Sequence, residues 1–283
     1  MIFAYFPKSS ALNSGPVMQA FIHGLQYHGV SCQANSLDCD AVIIWSQLWA
    51  GRMQPNRQIY QHYRDRARPV VVIDAGMIKR NHTWRIMLDG DARLAGLGHD
   101  SIRRHELGLQ MRPWQHQGKQ IVIALQRPDS NQWQGLPNPE SWLTCIIEQI
   151  KEQSERPIII RPHPRYPFKN ASTTININIP YRVPGTYDDY DFDQCLHDAW
   201  AVINWNSSPG VISVLNGVAA FVGPSSLAAP VANLDLSYIE NPATPDRNQW
   251  CNDLAWTEWT IHEIQLGIPQ KYVLERINAW QNS

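Results

Sequence analysis

Two arginines flank a histidine in Arg161-Pro162-His163-Pro164-Arg165, a turn that ends the apolar run Pro157-Ile158-Ile159-Ile160. Guanidinium groups match phosphate oxygens bidentately, and proline stiffens the turn that aims them. His163 could donate to a phosphate or protonate a leaving group. The plainer alternative is a surface turn whose arginines pair with carboxylates. A second run, Ala201-Val202-Ile203, stops at Asn204-Trp205-Asn206-Ser207-Ser208-Pro209-Gly210. There Ser207 or Ser208 caps a helix whose N-terminus also suits an anion. A third run, 219–222, stops at Gly223-Pro224-Ser225-Ser226, and a fourth, 121–125, stops at Gln126-Arg127. Ligands of open α/β sheets bind just outside the carboxyl ends of the strands. Gln126, Arg127, Arg161, Arg165, Asn206, Ser207, Ser208, Ser225 and Ser226 are therefore expected to hold an anionic, hydroxyl-rich ligand such as a nucleotide sugar.

Asp74 ends another apolar run, Val70-Val71-Val72-Ile73, and is followed by the small residues Ala75-Gly76. A carboxylate at a strand tip suits a base that takes a proton from an acceptor hydroxyl. A capping or ion-paired aspartate is the competing reading. Ala75-Gly76 is expected to leave room for the acceptor. The acidic run Asp188, Asp189, Asp191 and Asp193 lacks the glycine and distal glutamate of a calcium loop and reads as a turn into a helix. No metal is expected and no cofactor is required, although a divalent ion would be compatible.

These residues need strands and helices in alternation. Apolar runs at 2–6, 40–46, 69–76, 121–125, 157–160, 200–204 and 219–222 alternate with amphipathic helices at 17–27, 56–66, 138–153 and 209–216. That order implies βαβ units and parallel sheets, an α/β fold. Between 77 and 117, basic residues including Lys79, Arg80, Arg85, Arg103 and Arg104 show no clear period. Pro16 opens the first helix after the polar loop that holds Asn13 and Ser14. Thr260 and Glu263 have the spacing of a capping box before a closing helix at 269–280.

The chain has 283 residues, 43% hydrophobic and 17% charged, enough for two domains with sizeable cores. Its twelve tryptophans are expected mostly in those cores. Five cysteines form no CxxC pair, which suits free thiols in a reducing compartment. With no signal peptide and no membrane-length run, a soluble cytoplasmic protein is expected. The net charge of −1 divides unevenly: residues 1–115 hold 13 Lys/Arg against 8 Asp/Glu, and 116–283 hold 11 against 17. A basic first half would suit a polyanion.

Two Rossmann-like halves joined near residue 117 resemble a GT-B glycosyltransferase, whose two domains face each other across a cleft. Residues 1–117 would form the acceptor domain and 118–268 the nucleotide-sugar domain, with 269–283 a helix packing back on the first. The strand–RPHPR turn and strand–NSSPG helix resemble capsule-polysaccharide sugar transferases. The strand ending Val71-Val72-Ile73-Asp74 resembles the base-carrying segment of phage DNA β-glucosyltransferase. The motifs Asn13-Ser14-Gly15-Pro16, Pro184-Gly185-Thr186-Tyr187-Asp188-Asp189 and Gly223-Pro224-Ser225-Ser226-Leu227-Ala228 are similar to those of tailed-phage proteins. The resemblance implies transfer of a sugar, from UDP first of all, to a hydroxymethylated pyrimidine of double-stranded DNA in the cytoplasm of a phage host. Asp74 and His163 would be catalytic, and Asn13, Ser14, Lys79 and Arg80 would bind the acceptor. A capsule-type or surface glycan is the alternative acceptor. A non-catalytic nucleotide-sugar-binding module and an epimerase are further readings.

Overall fold

The computed structural model describes residues 1–133, 135–166, 175–186 and 189–281. It contains strands β1 (Ile2–Tyr5), β2 (Ser31–Ala34), β3 (Ala41–Trp45), β4 (Val70–Ala75), β5 (Thr83–Leu88), β6 (Gln120–Ala124), β7 (Ile158–Arg161), β8 (Asn176–Ile177), β9 (Ala199–Asn204), β10 (Ala219–Val222) and β11 (Glu258–Thr260). The helices are α1 (Gly15–Tyr27), α2 (Asn56–Arg64), α3 (Ile102–Glu106), α4 (Pro139–Gln153), α5 (Phe192–Cys195), α6 (Ser208–Leu215), α7 (Asn248–Leu254), α8 (Ile261–Gln265) and α9 (Ile268–Gln281).

The chain divides into two compact units. The first comprises Met1–Leu109, Asp129–Asn131 and Asn252–Ser283, and the second comprises Gln110–Pro128 and Gln132–Cys251. Boundaries expected near 117 and at 268 fall instead at 109/110 and 251/252.

The first unit holds a six-stranded sheet in the order β11-β5-β4-β3-β1-β2. β1 to β4 run parallel, and β5 is antiparallel to both β4 and β11. Every residue of β3 is buried, and Val70 to Ile73 are fully buried, as expected of β-branched strands covered on both faces. One face packs Phe3, Ile43, Val71, Ile73, Ile86 and Trp259 with Phe21 and Leu25 of α1.

The end of the chain belongs to this unit for identifiable reasons. Arg103 of α3 is buried; it donates Nε to the Ala255 carbonyl at 2.7 Å and Nη2 to the Glu258 carbonyl at 2.7 Å, and it pairs with Glu263. Its guanidinium also lies 4.6 Å from the Trp259 ring centre. From α9, the buried Gln270 donates Nε2 to the carbonyls of Phe21 and Ile264. The Thr260–Glu263 capping box is present, but it starts α8, the short helix before the closing one.

The second unit is a parallel five-stranded sheet, β10-β9-β6-β7-β8. Ile121, Ile123, Ile203 and Phe221 face one core with Trp142 and Leu143 of α4. Val122, Ala124 and Val202 face another with Leu196 and Val218.

Assigning 252–283 to the first unit alters the charge balance. The first unit holds 14 Lys/Arg against 13 Asp/Glu and the second 10 against 12. The basic half expected from the linear sequence becomes a nearly neutral unit, because Asp253, Glu258, Glu263 and Glu275 outnumber Lys271 and Arg276 in the returning segment, Asp129 joins it and Arg112 leaves it. All five cysteines are free. No helix among the described residues is long and apolar enough to cross a membrane.

Candidate functional site

In the second unit the tips of β6, β9 and β10 are stitched together by amide side chains. Asn204, the last residue of β9, is buried and donates Nδ2 to the Ala124 carbonyl at 2.8 Å and to Ser207 Oγ at 2.9 Å. Its Oδ1 accepts from the Ser207 backbone N–H at 2.9 Å. One layer further out, Gln126 Oε1 accepts from the Asn206 N–H at 3.2 Å, and Asn206 Nδ2 donates to Ser225 Oγ at 3.0 Å. The outer layer is incomplete: Gln126 Nε2 and Asn206 Oδ1 are buried with no hydrogen-bond partner. A polar ligand or an ordered water would complete them.

Ser207 is the N-cap of α6, but its hydroxyl is engaged with Asn204 and makes no cap bond; in the first turn Pro209 has no N–H and Gly210 donates to the Ser207 carbonyl at 3.3 Å. Ser208 is the first residue of that helix. Gly210 lets it press on the sheet, since a Cβ there would come 2.8 Å from Val222 Cγ1. Ser225 is exposed and joins the layer, whereas Ser226 is buried, its Oγ accepting from the Ala228 N–H at 3.2 Å. Arg127 is half-buried beside Gln126 in the chain. Trp205 is half-buried with its ring over Gly223.

The β7 tip departs from expectation. Arg161 is only 4% exposed and points into its own unit. Nη2 donates to Asp191 Oδ1 at 2.5 Å, and Nη1 pairs with Asn178 Oδ1 and reaches the Ile179 carbonyl at 3.5 Å. Asp191 also accepts from the Tyr181 N–H at 2.7 Å. Burial alone would raise the Asp191 pKa, but the Arg161 and Tyr181 bonds prevail and hold it below the ordinary value. Arg161, expected to bind phosphate, thus ties Asn178, Ile179 and Asp191 to the end of β7. His163 Nδ1 accepts from the Arg165 N–H at 3.1 Å, which assigns the ring proton of the neutral form to Nε2, and Arg165 is exposed. Asp188 lies outside the described residues; Asp189 and Asp193 are exposed. Among the described residues no group of three or more His, Cys, Asp or Glu is placed to hold a metal ion.

In the first unit Asp74 sits near the end of β4, partly buried. Oδ1 accepts from the Ala75 N–H at 2.8 Å and Oδ2 from Ser46 Oγ at 3.4 Å. Ser46 follows β3 in left-handed backbone, φ 61°, a strained conformation that turns the chain where the two tips meet. Burial pushes the Asp74 pKa up, against the opposing pull of Arg85, the Ala75 N–H, Arg80 and Ser46. Gly76 is not space for an acceptor: a Cβ there would lie 2.3 Å from the Thr83 carbonyl and 2.4 Å from Glu258 Oε2. Asn13 is exposed, while Ser14 is buried and donates its hydroxyl to the Ala11 carbonyl at 2.7 Å. Lys79 is exposed and Arg80 half-buried.

Ser46, Arg85, Asn204 and Glu258 were missed as site residues. An asparagine directly after an apolar strand was a usable signal for Asn204; nothing in the linear sequence links Glu258 to residues 76–83.

The class defined by the two units is mixed α/β with sheets built mainly of parallel strands. No protein-family model matches the sequence, and no curated protein matches it. Among solved structures, the fold is similar to that of Thermosulfurimonas dismutans KpsC, beta Kdo 2,4 transferase. Identity is 11% with a TM-score of 0.54, over 95% of this chain and 98% of that one. It is also similar to T. dismutans KpsC, beta Kdo 2,7 transferase, at 11% identity and a TM-score of 0.52, over 96% of this chain and 99% of that one. At such identity the likeness is one of fold.

Proposed function

We propose that this protein is a glycosyltransferase that moves a sugar from a nucleotide-linked donor to a hydroxyl of a capsule- or surface-type glycan. The observation that carries the reading is the fold likeness, over nearly the whole of both chains, to two proteins named as Kdo transferases. The stitched strand tips of the second unit support it, since Gln126 Nε2 and Asn206 Oδ1 offer a buried donor and acceptor beside the start of α6. Gln126, Arg127, Asn206, Ser207, Ser208 and Ser225 would then take the sugar nucleotide. Arg161 and Ser226 hold the frame, and His163 Nε2–H is the candidate hydrogen-bond donor to the leaving phosphate.

Asp74 is the candidate base. As the acceptor oxygen bonds to the anomeric carbon, its proton passes to the carboxylate, and the bond from that carbon to the nucleotide's phosphate oxygen breaks with its electrons. A carboxyl whose pKa is raised by burial is a stronger base for that step than an ordinary one. A glycan acceptor is favoured over a DNA base because the near-neutral first unit no longer offers the net positive charge that duplex binding draws on.

The test is thermal stabilisation by a panel of uridine-, cytidine- and guanosine-linked sugars. Turnover with the best donor follows, against glycan fragments and hydroxymethylated duplex DNA. Transfer to a glycan is the expected result; transfer to DNA alone would reverse the acceptor assignment, and no stabilisation by any sugar nucleotide would remove the reading.

A further inference from the structure

Asp74, Arg85 and Glu258 stand opposite one another on three neighbouring strands. Asp74 is the register partner of Arg85 between β4 and β5, and Arg85 is the partner of Glu258 between β5 and β11. Directly opposed residues of antiparallel strands share a face. The row therefore lies on the face opposite the core that receives Ile73, Ile86 and Trp259.

Two carboxylates flanking one guanidinium would ordinarily close into an ion network. Here both carboxylates are engaged elsewhere. Glu258 is fully buried, and its oxygens accept from the N–H groups of Met77 at 2.6 Å and Ile78 at 3.1 Å and from Thr83 Oγ1 at 2.7 Å. Asp74 accepts from Ala75 and Ser46. Arg85 Nε, in contrast, is buried with no hydrogen-bond partner. A buried donor left unmade is costly, and more so on a charged group. The residue as a whole is only partly buried, so an incoming group would meet the guanidinium from its exposed side and Nε on closer approach.

We propose that Arg85 reads an oxyanion on the acceptor, either a sugar carboxylate or a sugar phosphate, and so holds the acceptor with a hydroxyl toward Asp74. Guanidinium binds both oxyanions through paired N–H donors, which lysine cannot reproduce. Occupancy would also have a chemical effect. A bound oxyanion neutralises the cation that now stabilises the Asp74 carboxylate, so an acidic acceptor makes the base more basic as it arrives. The other charged groups facing Asp74 are Arg80 in the following loop and Glu258, across Arg85 on β11. The inference rests on the acceptor role given to the first unit, but its test does not need turnover.

Binding of methyl β-glucuronide, methyl glucoside 6-phosphate and neutral methyl glucoside to the full chain is measured by ligand-observed NMR, for wild type, Arg85→Gln and Arg85→Lys. Wild type is expected to bind one or both acidic probes at least about tenfold more tightly than the neutral one, a difference within the range of one charge-assisted bond. The two acidic arms distinguish carboxylate from phosphate. Arg85→Gln should abolish the preference and Arg85→Lys retain part of it, with melting temperatures confirming that both variants are folded. No acidic preference in wild type, or a preference that survives Arg85→Gln, overturns the proposal. Selective binding through Arg85 without any sugar transfer would spare this inference and remove the transferase reading. Undiminished transfer to acidic acceptors by Arg85→Gln would do the reverse.

Discussion

Arg161 Nη2 donates to Asp191 Oδ1 at 2.5 Å, with the two side chains only 5% and 14% exposed. The arginine of the strand–RPHPR turn is therefore an internal tie. Removing one partner leaves the other buried and uncompensated, so Arg161→Ala should cost about 3–5 kcal/mol of stability. Asp191→Ala should cost a similar amount, and the double variant less than the sum. Urea denaturation of the four proteins measures this. The folded pKa of Asp191 is lowered, so the contribution is present above the unfolded value near 3.9 and is lost as pH falls through the folded one. A double variant as costly as the sum would mean that the two groups act independently.

Asp74 carries the opposite sign. Its folded pKa is raised, so the folded state holds its proton more tightly, and stability falls as pH rises through the window between unfolded and folded values. Asp74→Asn should accordingly be as stable as wild type, or more so, at neutral pH. As the candidate base it should also lose turnover by about 100-fold or more while sugar-nucleotide affinity is kept. Chemical denaturation and steady-state kinetics supply the two readings. Wild-type turnover in the asparagine variant would leave Asp74 a structural group.

The orphan atoms of the second unit make a separate prediction. Gln126→Ala removes a buried Nε2 that has no partner in the protein, but also the Oε1 that accepts from the Asn206 N–H, so it should lose about 1–3 kcal/mol of stability and stay folded. If Nε2 meets the sugar nucleotide, affinity should fall by about 1–3 kcal/mol, with Asn206→Ala behaving alike. Titration calorimetry with the stabilising nucleotide decides. Unchanged affinity in both variants would move the ligand away from the β6–β9 tips.

Gly76→Ala tests the packing behind Asp74. The added methyl would press on the Thr83 carbonyl and Glu258 Oε2, so the variant should lose about 1–3 kcal/mol through strain. Thermal denaturation is the measurement. A neutral substitution would show that the 76–83 turn yields easily.

The parallel strands were readable because burial on both faces writes them as unbroken apolar runs, as in Val70-Val71-Val72-Ile73. β5 was not. It alternates Thr83, Arg85 and Met87 with Trp84, Ile86 and Leu88, and the arginine at its centre masks the period. Three-residue β11 is too short to register alone and exists through its pairing with β5. The capping box at Thr260 was legible as local chemistry, but the helix it starts was not distinguished from the next. Among site residues, strand-tip position was visible for Gln126, Asn206 and Asp74. The fate of Arg161 was hidden because it depends on Asp191, thirty positions later and on no shared element.

The division of residues between the two units has a consequence for biosynthesis. β11, α8 and α9 complete a sheet and core begun by the first hundred residues, and everything between 132 and 251 belongs to the other unit. On the ribosome, the later-begun unit can finish its sheet while the nascent N-terminal segment still lacks the strand that covers β5. During that interval β5 presents an unpaired edge, and Arg85 at its centre is a charge of the kind that discourages pairing with stray strands.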